Sequence, residues 1–177
     1  ATTFTAVNAS SLTFNWSANG NAVSVTTYTV VLTTGSSYPN SFLGNQVFST
    51  SPDGALPAAT RTALAANTTY FLFIKAVNHS GLFTAYTALG STATLAHEPA
   101  TVVTTFTSVY ASSMIVSWSA NGNPVDVTSY TVVLTTGLSY PNSNFGNVSF
   151  ATTPAGIEPS ATITGLLGNT SYALFIN

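Results

Sequence analysis

Leu64–Asn78 reads LAANTTYFLFIKAVN. A leucine and a short polar turn lead into a run in which every second residue is apolar, at Tyr70, Leu72, Ile74 and Ala76. A period of two places these four side chains on one face of a β-strand. The segment therefore predicts a strand that follows a tight polar turn and packs one face on a core.

The same segment returns 102 residues later as part of a long repeat. Residues 1–75 recur as 103–177 without insertion or deletion, and 47 of the 75 paired positions are identical. A period of this length indicates two copies of one folding module in tandem. We expect one domain over 1–96 and a second over 97–177, joined by a short linker stiffened at Pro99. Because Asn177 pairs with Lys75, we expect a truncated second copy within a longer array.

Composition excludes several classes of function. Only 3% of the residues are charged, two basic and four acidic, where about 25% is usual. There is no basic patch for nucleic acid, and no apolar run approaches the roughly 20 residues that cross a bilayer. A surface of hydroxyls and amides has little charge repulsion between copies. We therefore expect the main partner to be the protein itself, with no nucleic acid and no membrane insertion.

Short runs of β-branched and aromatic residues alternate with clusters of Gly, Pro, Asn and Ser along the whole chain. This pattern is typical of an all-β antiparallel sandwich. No capped apolar stripe of helical period interrupts it. In the first copy it predicts strands near residues 2–7, 11–17, 26–34, 45–50, 58–63, 69–78 and 85–95.

Several of these positions together resemble the fibronectin type III family. The carriers are residues 64–78, the paired tryptophans and tyrosines of the second and third strands, and the repeated turn: Trp16, Trp118, Tyr28, Tyr130, Leu166, Asn169, Thr170 and Tyr172. The resemblance implies two tandem seven-stranded β-sandwiches, immunoglobulin-like, the second lacking the end of strand F and strand G. It implies that Tyr70 and Tyr172 form a tyrosine corner. Repetitive bacterial extracellular proteins contain domains of this kind.

The outward face of the sixth strand carries unexpected aromatic residues. Alternation turns Phe71 and Phe73 away from the core, with Phe175 repeating Phe73, and turns Val31 and Val133 outward on the neighbouring third strand. An apolar outer face with little charge around it is a candidate assembly surface. Isolated surface aromatics are the alternative interpretation.

Two loops are identical in both copies although residues around them differ. One is Asn-Gly-Asn, at 19–21 and 121–123, and the other is Ser-Tyr-Pro-Asn-Ser, at 37–41 and 139–143. Tyrosine supplies a rigid aromatic contact area and asparagine supplies adaptable hydrogen bonds, so the second loop offers candidate binding residues. Turn formation combined with recent duplication also explains the identity, and we favour that interpretation. The candidates are Tyr38, Pro39, Asn40, Tyr140, Pro141 and Asn142.

Catalytic chemistry is not expected. The four carboxylates stand in separate segments, and His79 and His97 have no further ligands at metal-binding spacing. No nucleophile elbow or phosphate-binding loop is present, so we predict a protein that is not an enzyme and has no cofactor. Asn-x-Ser/Thr sequences outside predicted strand interiors make five asparagines candidates for glycosylation: Asn8, Asn67, Asn78, Asn147 and Asn169.

Two functions remain. The leading hypothesis is a structural protein, an extracellular tandem array that forms a rod, stalk or filament on a microbial cell surface through head-to-tail or lateral contacts. The alternative is a binding or adhesion module, or a spacer attached to a secreted glycan-active enzyme or adhesin, with the tyrosine loops touching a glycan or protein.

Overall fold

The structure is a computed structural model that describes residues 3–52, 54, 56–144 and 146–177. Every regular element in these ranges is a β-strand. The first half contains β1 (Phe4–Val7), β2 (Leu12–Asn15), β3 (Thr27–Thr33), β4 (Gln46–Thr50), β5 (Ala58–Arg61), β6 (Thr69–Val77) and β7 (Thr87–Ala93). The second half contains β8 (Phe106–Val109), β9 (Ser113–Ser117), β10 (Tyr130–Thr135), β11 (Val148–Thr152), β12 (Ser160–Thr164) and β13 (Ala173–Ile176).

The first unit is a sandwich of two antiparallel sheets. One sheet has the order β1-β2-β5, and the other has the order β4-β3-β6-β7. The core lies between the two sheets and includes Phe14 from β2, Val30 from β3 and Leu72 from β6. Leu72 belongs to the face of β6 that alternation placed inward. Trp16 meets Tyr28 edge-on at 5.4 Å between ring centroids. The predicted all-β antiparallel sandwich with seven strands is confirmed.

The second unit repeats this arrangement with six strands. Its sheets have the orders β8-β9-β12 and β11-β10-β13. The core again joins both sheets, with Val116 from β9, Val132 from β10 and Ile163 from β12 all buried. Trp118 meets Tyr130 at 5.5 Å, with an interplanar angle of 70° against 68° in the first unit. The repeated sequence therefore builds the same core twice.

The units divide between Leu95 and Ala96, one residue before the boundary we expected. Leu95 belongs to the first unit because its carbonyl accepts from the amide of Asn67 and its own amide donates to Asn8. His97 belongs to the second unit because its amide and carbonyl both bond to Asn123. The short segment between Leu95 and β8 is therefore part of the second folded unit.

Candidate functional surfaces

The Ser-Tyr-Pro-Asn loop of each unit folds back over the outer face of the sheet that contains β3 or β10. In the first unit the Tyr38 ring lies 6.1 Å from Phe73 of β6 and 4.8 Å from Tyr86, which it meets edge-on. In the second unit the Tyr140 ring lies 6.0 Å from Phe175 of β13. The interplanar angles of the two matched pairs are 35° and 34°. The loop aromatic thus covers the face that alternation turns outward.

The expectation that this outward face is an open apolar surface is wrong for its central residues. Val31 is 0%, Val133 2% and Phe73 7% exposed, and Phe71 and Phe175 are half-buried. Alternation does turn Val31 and Phe73 away from the sandwich core, and they face each other across β3 and β6. Both are nevertheless buried, and the ring of Tyr38 from the chain's own loop lies against Phe73. A face covered in this way offers little apolar area to another molecule.

Asn40 holds the loop of the first unit in place. Its side-chain Nδ2 donates to the buried hydroxyl of Thr33 at 3.2 Å and to the carbonyl of Ser37. Its Oδ1 accepts from the amide of Phe42 at 3.1 Å and from Nδ2 of Asn45 at 2.8 Å. The peptide bond between Tyr38 and the following proline is cis. One asparagine side chain therefore joins the end of β3 to both sides of the loop.

The second unit reproduces this network atom for atom. Asn142 Nδ2 donates to Thr135 at 3.1 Å and to Ser139, and its Oδ1 accepts from the amide of Asn144 at 3.0 Å and from Asn147 at 2.9 Å. The corresponding proline bond is again cis. The polar atoms of the two candidate binding asparagines are thus engaged inside the loops. Of the other candidate binding residues, Pro39 and Pro141 are exposed, Tyr140 is 43% exposed and Tyr38 is half-buried.

A cation lies beside the covered face of the first unit. Nζ of Lys75 lies 4.0 Å from the ring centroid of Phe83 and 5.1 Å from that of Tyr86. Partial burial raises the pKa of Tyr38 above its usual 10.0, and Tyr86 raises it further, while the positive charge of Lys75 opposes the shift. Burial and Tyr86 outweigh the opposing charge of Lys75, so the folded chain stabilises the protonated form of Tyr38.

The Asn-Gly-Asn loops adopt the turn that their sequence predicts. Asn19 and Gly20 have φ values of 50° and 79°, and Asn121 and Gly122 have 54° and 82°. Both residue types tolerate the left-handed region that this turn requires. The turn places the asparagine that follows it, Asn21 or Asn123, at the same end of its sandwich.

In the second unit this loop binds the segment that leads in from the first. Asn123 Oδ1 accepts from the amide of His97 at 2.7 Å, and its Nδ2 donates to the carbonyl of the same residue at 2.8 Å. Asn121 Nδ2 donates to the carbonyl of Glu98 at 2.8 Å. Ala100 then pairs with Ser119 as an antiparallel bridge, with N···O distances of 2.8 and 3.2 Å. We call these contacts the linker clamp; the sequence did not predict them.

The two predicted corner tyrosines bond to the turn before their strand. The hydroxyl of Tyr70 accepts from the amide of Ala65 at 3.0 Å, and that of Tyr172 accepts from Leu167 at 3.0 Å. These bonds have the geometry of a tyrosine corner and fix the entry to β6 and β13. Both residues are structural and take no part in a surface site.

The glycosylation candidates differ in accessibility. Asn8, Asn78 and Asn169 are exposed, whereas Asn67 and Asn147 are half-buried. Asn147 donates its Nδ2, the atom to which a glycan would be attached, inside the tyrosine loop. Glycosylation therefore stays a prediction, and the three exposed asparagines are the positions at which a sugar would meet solvent directly.

The described residues do not bring together the ligands of a metal centre. Across 3–52, 54, 56–144 and 146–177, no three His, Cys, Asp or Glu side chains are grouped closely enough to hold a metal ion. Asp53 lies outside the described residues, and Glu98, Asp126 and Glu158 stand in separate segments. None of the described residues forms a helix that could cross a lipid bilayer.

No protein-family model matches the sequence, and no curated protein matches it. Solved structures do. A segment of chicken tenascin with two fibronectin type III domains aligns over 98% of this chain and 86% of its own length, at a TM-score of 0.58 and 16% identity. The chain has the fold of two tandem fibronectin type III domains.

The strand orders of the two units can be compared within this fold. In the first fibronectin type III unit, β1-β2-β5 and β4-β3-β6-β7 are the two sheets of the complete domain, and the second unit lacks a described counterpart of β7. The fold alone does not determine a function.

Proposed function

We propose that the chain is a structural protein, a segment of an extracellular or cell-surface fibronectin type III array that forms a rod, stalk or filament. The observation that carries this proposal is the linker clamp. His97, Glu98 and Ala100 are each bonded to the body of the second unit. A connecting segment that forms part of a folded unit cannot act as a free hinge along those residues.

The size of the effect follows from the number of contacts. Five hydrogen bonds reach three linker residues, and each contributes about 0.5–1.5 kcal/mol to a folded protein. Pro99 adds a fixed φ within the same stretch. Together these terms exceed thermal energy several-fold, so the clamped conformation dominates. A stalk requires such a joint, whereas a flexible tether between two binding domains does not.

Scarce charge also supports assembly, although not through the surface first expected. The net charge of −2 leaves little repulsion between neighbouring copies. Because Val31, Phe73 and Val133 are buried, lateral contacts would have to use other apolar positions. Head-to-tail contacts through the linker end of each unit are the mode that the clamp favours.

The alternative, a binding or adhesion module or spacer, is supported by the tips of the tyrosine loops. Leu43 and Leu138 are almost wholly exposed, and Phe42 is 55% exposed. Apolar side chains on a loop held rigid by Asn40 are suited to contact with a glycan or protein. Under this alternative the rings of Tyr38 and Tyr140 position the loop and the neighbouring residues make the contact.

Electron microscopy of the native material, paired with the intact mass of its dissociated subunits, tests the structural function. Regular fibres of subunits near 18.2 kDa would mean assembly of separate chains, including by a strand added beside β13. Fibres of a much heavier chain would mean one continuous array. Dispersed particles without fixed spacing between domains would refute the rod and leave the binding module.

A pair of variants separates the two functions. Asn123→Ala removes two of the five hydrogen bonds of the clamp, so the rod predicts a broader distribution of end-to-end distances in small-angle X-ray scattering, with unchanged ligand binding. Leu43→Ser together with Leu138→Ser removes the exposed loop tips, so the alternative predicts lost binding on a glycan array or protein array, with unchanged dimensions. The two outcomes are independent, and each function is refuted by its own variant.

A further inference from the structure

The first unit contains the same residues that form the linker clamp in the second unit. The two clamp asparagines of the second unit correspond, at the offset of 102, to Asn19 and Asn21, and Ser119 corresponds to Ser17. All three residues are identical between the copies, while the residue after the second asparagine differs, Ala22 against Pro124. The donors and acceptors that hold residues 97–100 therefore exist twice in the chain.

Exposure separates the two copies of the clamp. Asn123 is 5% exposed, because His97 lies against it, whereas Asn21 is exposed. Ser119 is half-buried beneath its bridge to Ala100, whereas Ser17 is exposed. Since the sequences and the turns are the same, the difference lies in the segment that the second unit binds.

A cleft opens at this place in the first unit. It has a volume of about 340 Å³. Its walls include Ser17, Asn19 and Asn21, together with Trp16 and Tyr28 at the end of the core. These are the counterparts of the residues that surround or adjoin the clamped segment in the second unit. The cleft thus combines an apolar floor with amide groups and a strand edge at its rim.

We propose that this cleft is a binding site for an extended peptide segment with the backbone arrangement of residues 96–100, presented by another unit of the same repeat. The side chain of Asn21 pairs with the amide and carbonyl of the residue that corresponds to His97. Asn19 donates to the carbonyl of the residue that corresponds to Glu98, and Ser17 forms a two-bond bridge with the one that corresponds to Ala100. The inference rests on the proposed array function and names its joint.

The occupant is set by the chemistry of the site. In the second unit every hydrogen bond of the clamp reaches a main-chain atom of the linker: the amide and carbonyl of His97, the carbonyl of Glu98, and the amide and carbonyl of Ala100. Pro99 has no backbone N–H to donate, and the clamp forms no hydrogen bond with residue 99. The site therefore selects an extended strand with free amides at its first and fourth positions.

The test extends the full chain by a copy of residues 96–102 joined directly before Ala1. Val103 corresponds to Ala1 at the offset of 102. The added residues therefore precede the first unit by the same number of positions as residues 96–102 precede the second unit. Amide exchange measured by NMR should show protection of the Ser17 amide increasing at least about tenfold, and Asn21→Ala in the extended chain should abolish most of that gain. Asn123→Ala in the extended chain is the matched control and should leave Ser17 unaffected.

Two results would overturn the proposal: exchange at Ser17 that is the same with and without the extension, or protection that persists in the Asn21→Ala variant. Asn21 is exposed in the chain as it stands, so its substitution leaves the first unit folded, and the unfolding midpoint of the unextended variant verifies this. A protected Ser17 in a chain whose scattering shows free bending would refute the rod alone. A rigid rod with an unprotected Ser17 would refute this site alone.

Discussion

The ring of Tyr38 lies 6.1 Å from the ring of Phe73, and the chain repeats this contact between Tyr140 and Phe175 at 6.0 Å. The contact joins two features that the sequence suggests for separate purposes, a loop for a ligand and a face for assembly. In the structure the loop packs on the face, so each shields the other from solvent. Substitutions at either one are therefore expected to change stability first.

Replacing Phe73 by Ala should lower the free energy of unfolding of the first unit by about 3–5 kcal/mol, because a buried ring is lost from beneath the Tyr38 loop. Urea unfolding followed by tryptophan fluorescence measures the change. Val47→Ala, on β4 of the same sheet and 50% exposed, is the control and should cost less than about 1 kcal/mol. Equal losses for the two variants would contradict the covered face. Phe73→Asp should unfold the unit, so it cannot serve as an assembly variant.

Asn40→Ala should destabilise the first unit by about 1–3 kcal/mol, since it leaves the buried hydroxyl of Thr33 and the side chain of Asn45 without this partner. The equivalent Asn142→Ala should act on the second unit by a similar amount. Thermal unfolding gives both values. Ser41→Ala, at an exposed position of the same loop, should change stability by less than about 0.5 kcal/mol. A larger effect at Ser41 than at Asn40 would show that the loop is held in another way.

Arg61 and Gln46 form a pair that the second unit replaces by two apolar residues. The guanidinium donates to Gln46 Oε1 and lies 5.8 Å from the ring of Phe48, whereas Ile163 and Val148 stand at these positions in the second core. Arg61→Ile alone leaves Gln46 without its donor, but Arg61→Ile with Gln46→Val should be at least as stable as the natural chain. A double-mutant cycle in urea should give a coupling of at least about 0.5 kcal/mol. Strictly additive effects would mean that the pair contributes nothing specific.

The raised pKa of Tyr38 predicts a stability that falls in alkaline solution. Because burial and Tyr86 raise the pKa in the folded chain above 10.0, the folded state retains the proton longer than the unfolded state. The contribution is fully present below pH 10 and is lost as the pH rises through the folded pKa. Unfolding of the natural chain and of Tyr38→Phe, compared between pH 9 and pH 11.5, should show the steeper loss in the natural chain. Parallel curves would contradict the assignment.

Asn123→Ala should destabilise the second unit by about 1–3 kcal/mol and speed amide exchange at Ser119, because its bonds to both main-chain groups of His97 are lost. Asn21→Ala is the matched control in the same chain, and since Asn21 is exposed it should cost less than about 0.5 kcal/mol. Hydrogen exchange and thermal unfolding measure both. Similar losses at the two positions would show that the asparagine acts only through its turn.

Local pattern was enough to predict the strands. Alternation at residues 69–78 predicts β6 (Thr69–Val77), and most of the other predicted runs overlap their strands with ends within about two residues. Alternation also identifies the buried set, since Phe14, Val30 and Leu72 are all 0% exposed. These features follow from period-two burial and from turn residues, both of which are encoded over a few neighbouring positions.

The cover and the clamp depend on contacts between residues that are distant in sequence, so local pattern could not predict them. Alternation states that Phe73 faces away from the core, but not that Tyr38, 35 residues earlier, lies over it. Asn123 reads as part of a turn, and its partner His97 lies 26 residues before it. One signal was available: the asparagine after each Asn-Gly turn is kept in both copies although the turn itself needs only the first two residues.

The linker clamp holds main-chain atoms only, and this has a consequence for how such a protein can change over time. A joint that ignores side chains imposes no pairwise match between one unit and the next. Copies can then be duplicated, lost or exchanged by recombination, and each new neighbour meets a connection that already fits. Asn-Gly-Asn is identical in the two copies, whereas the position that follows it differs. This is the pattern expected of units that can replace one another.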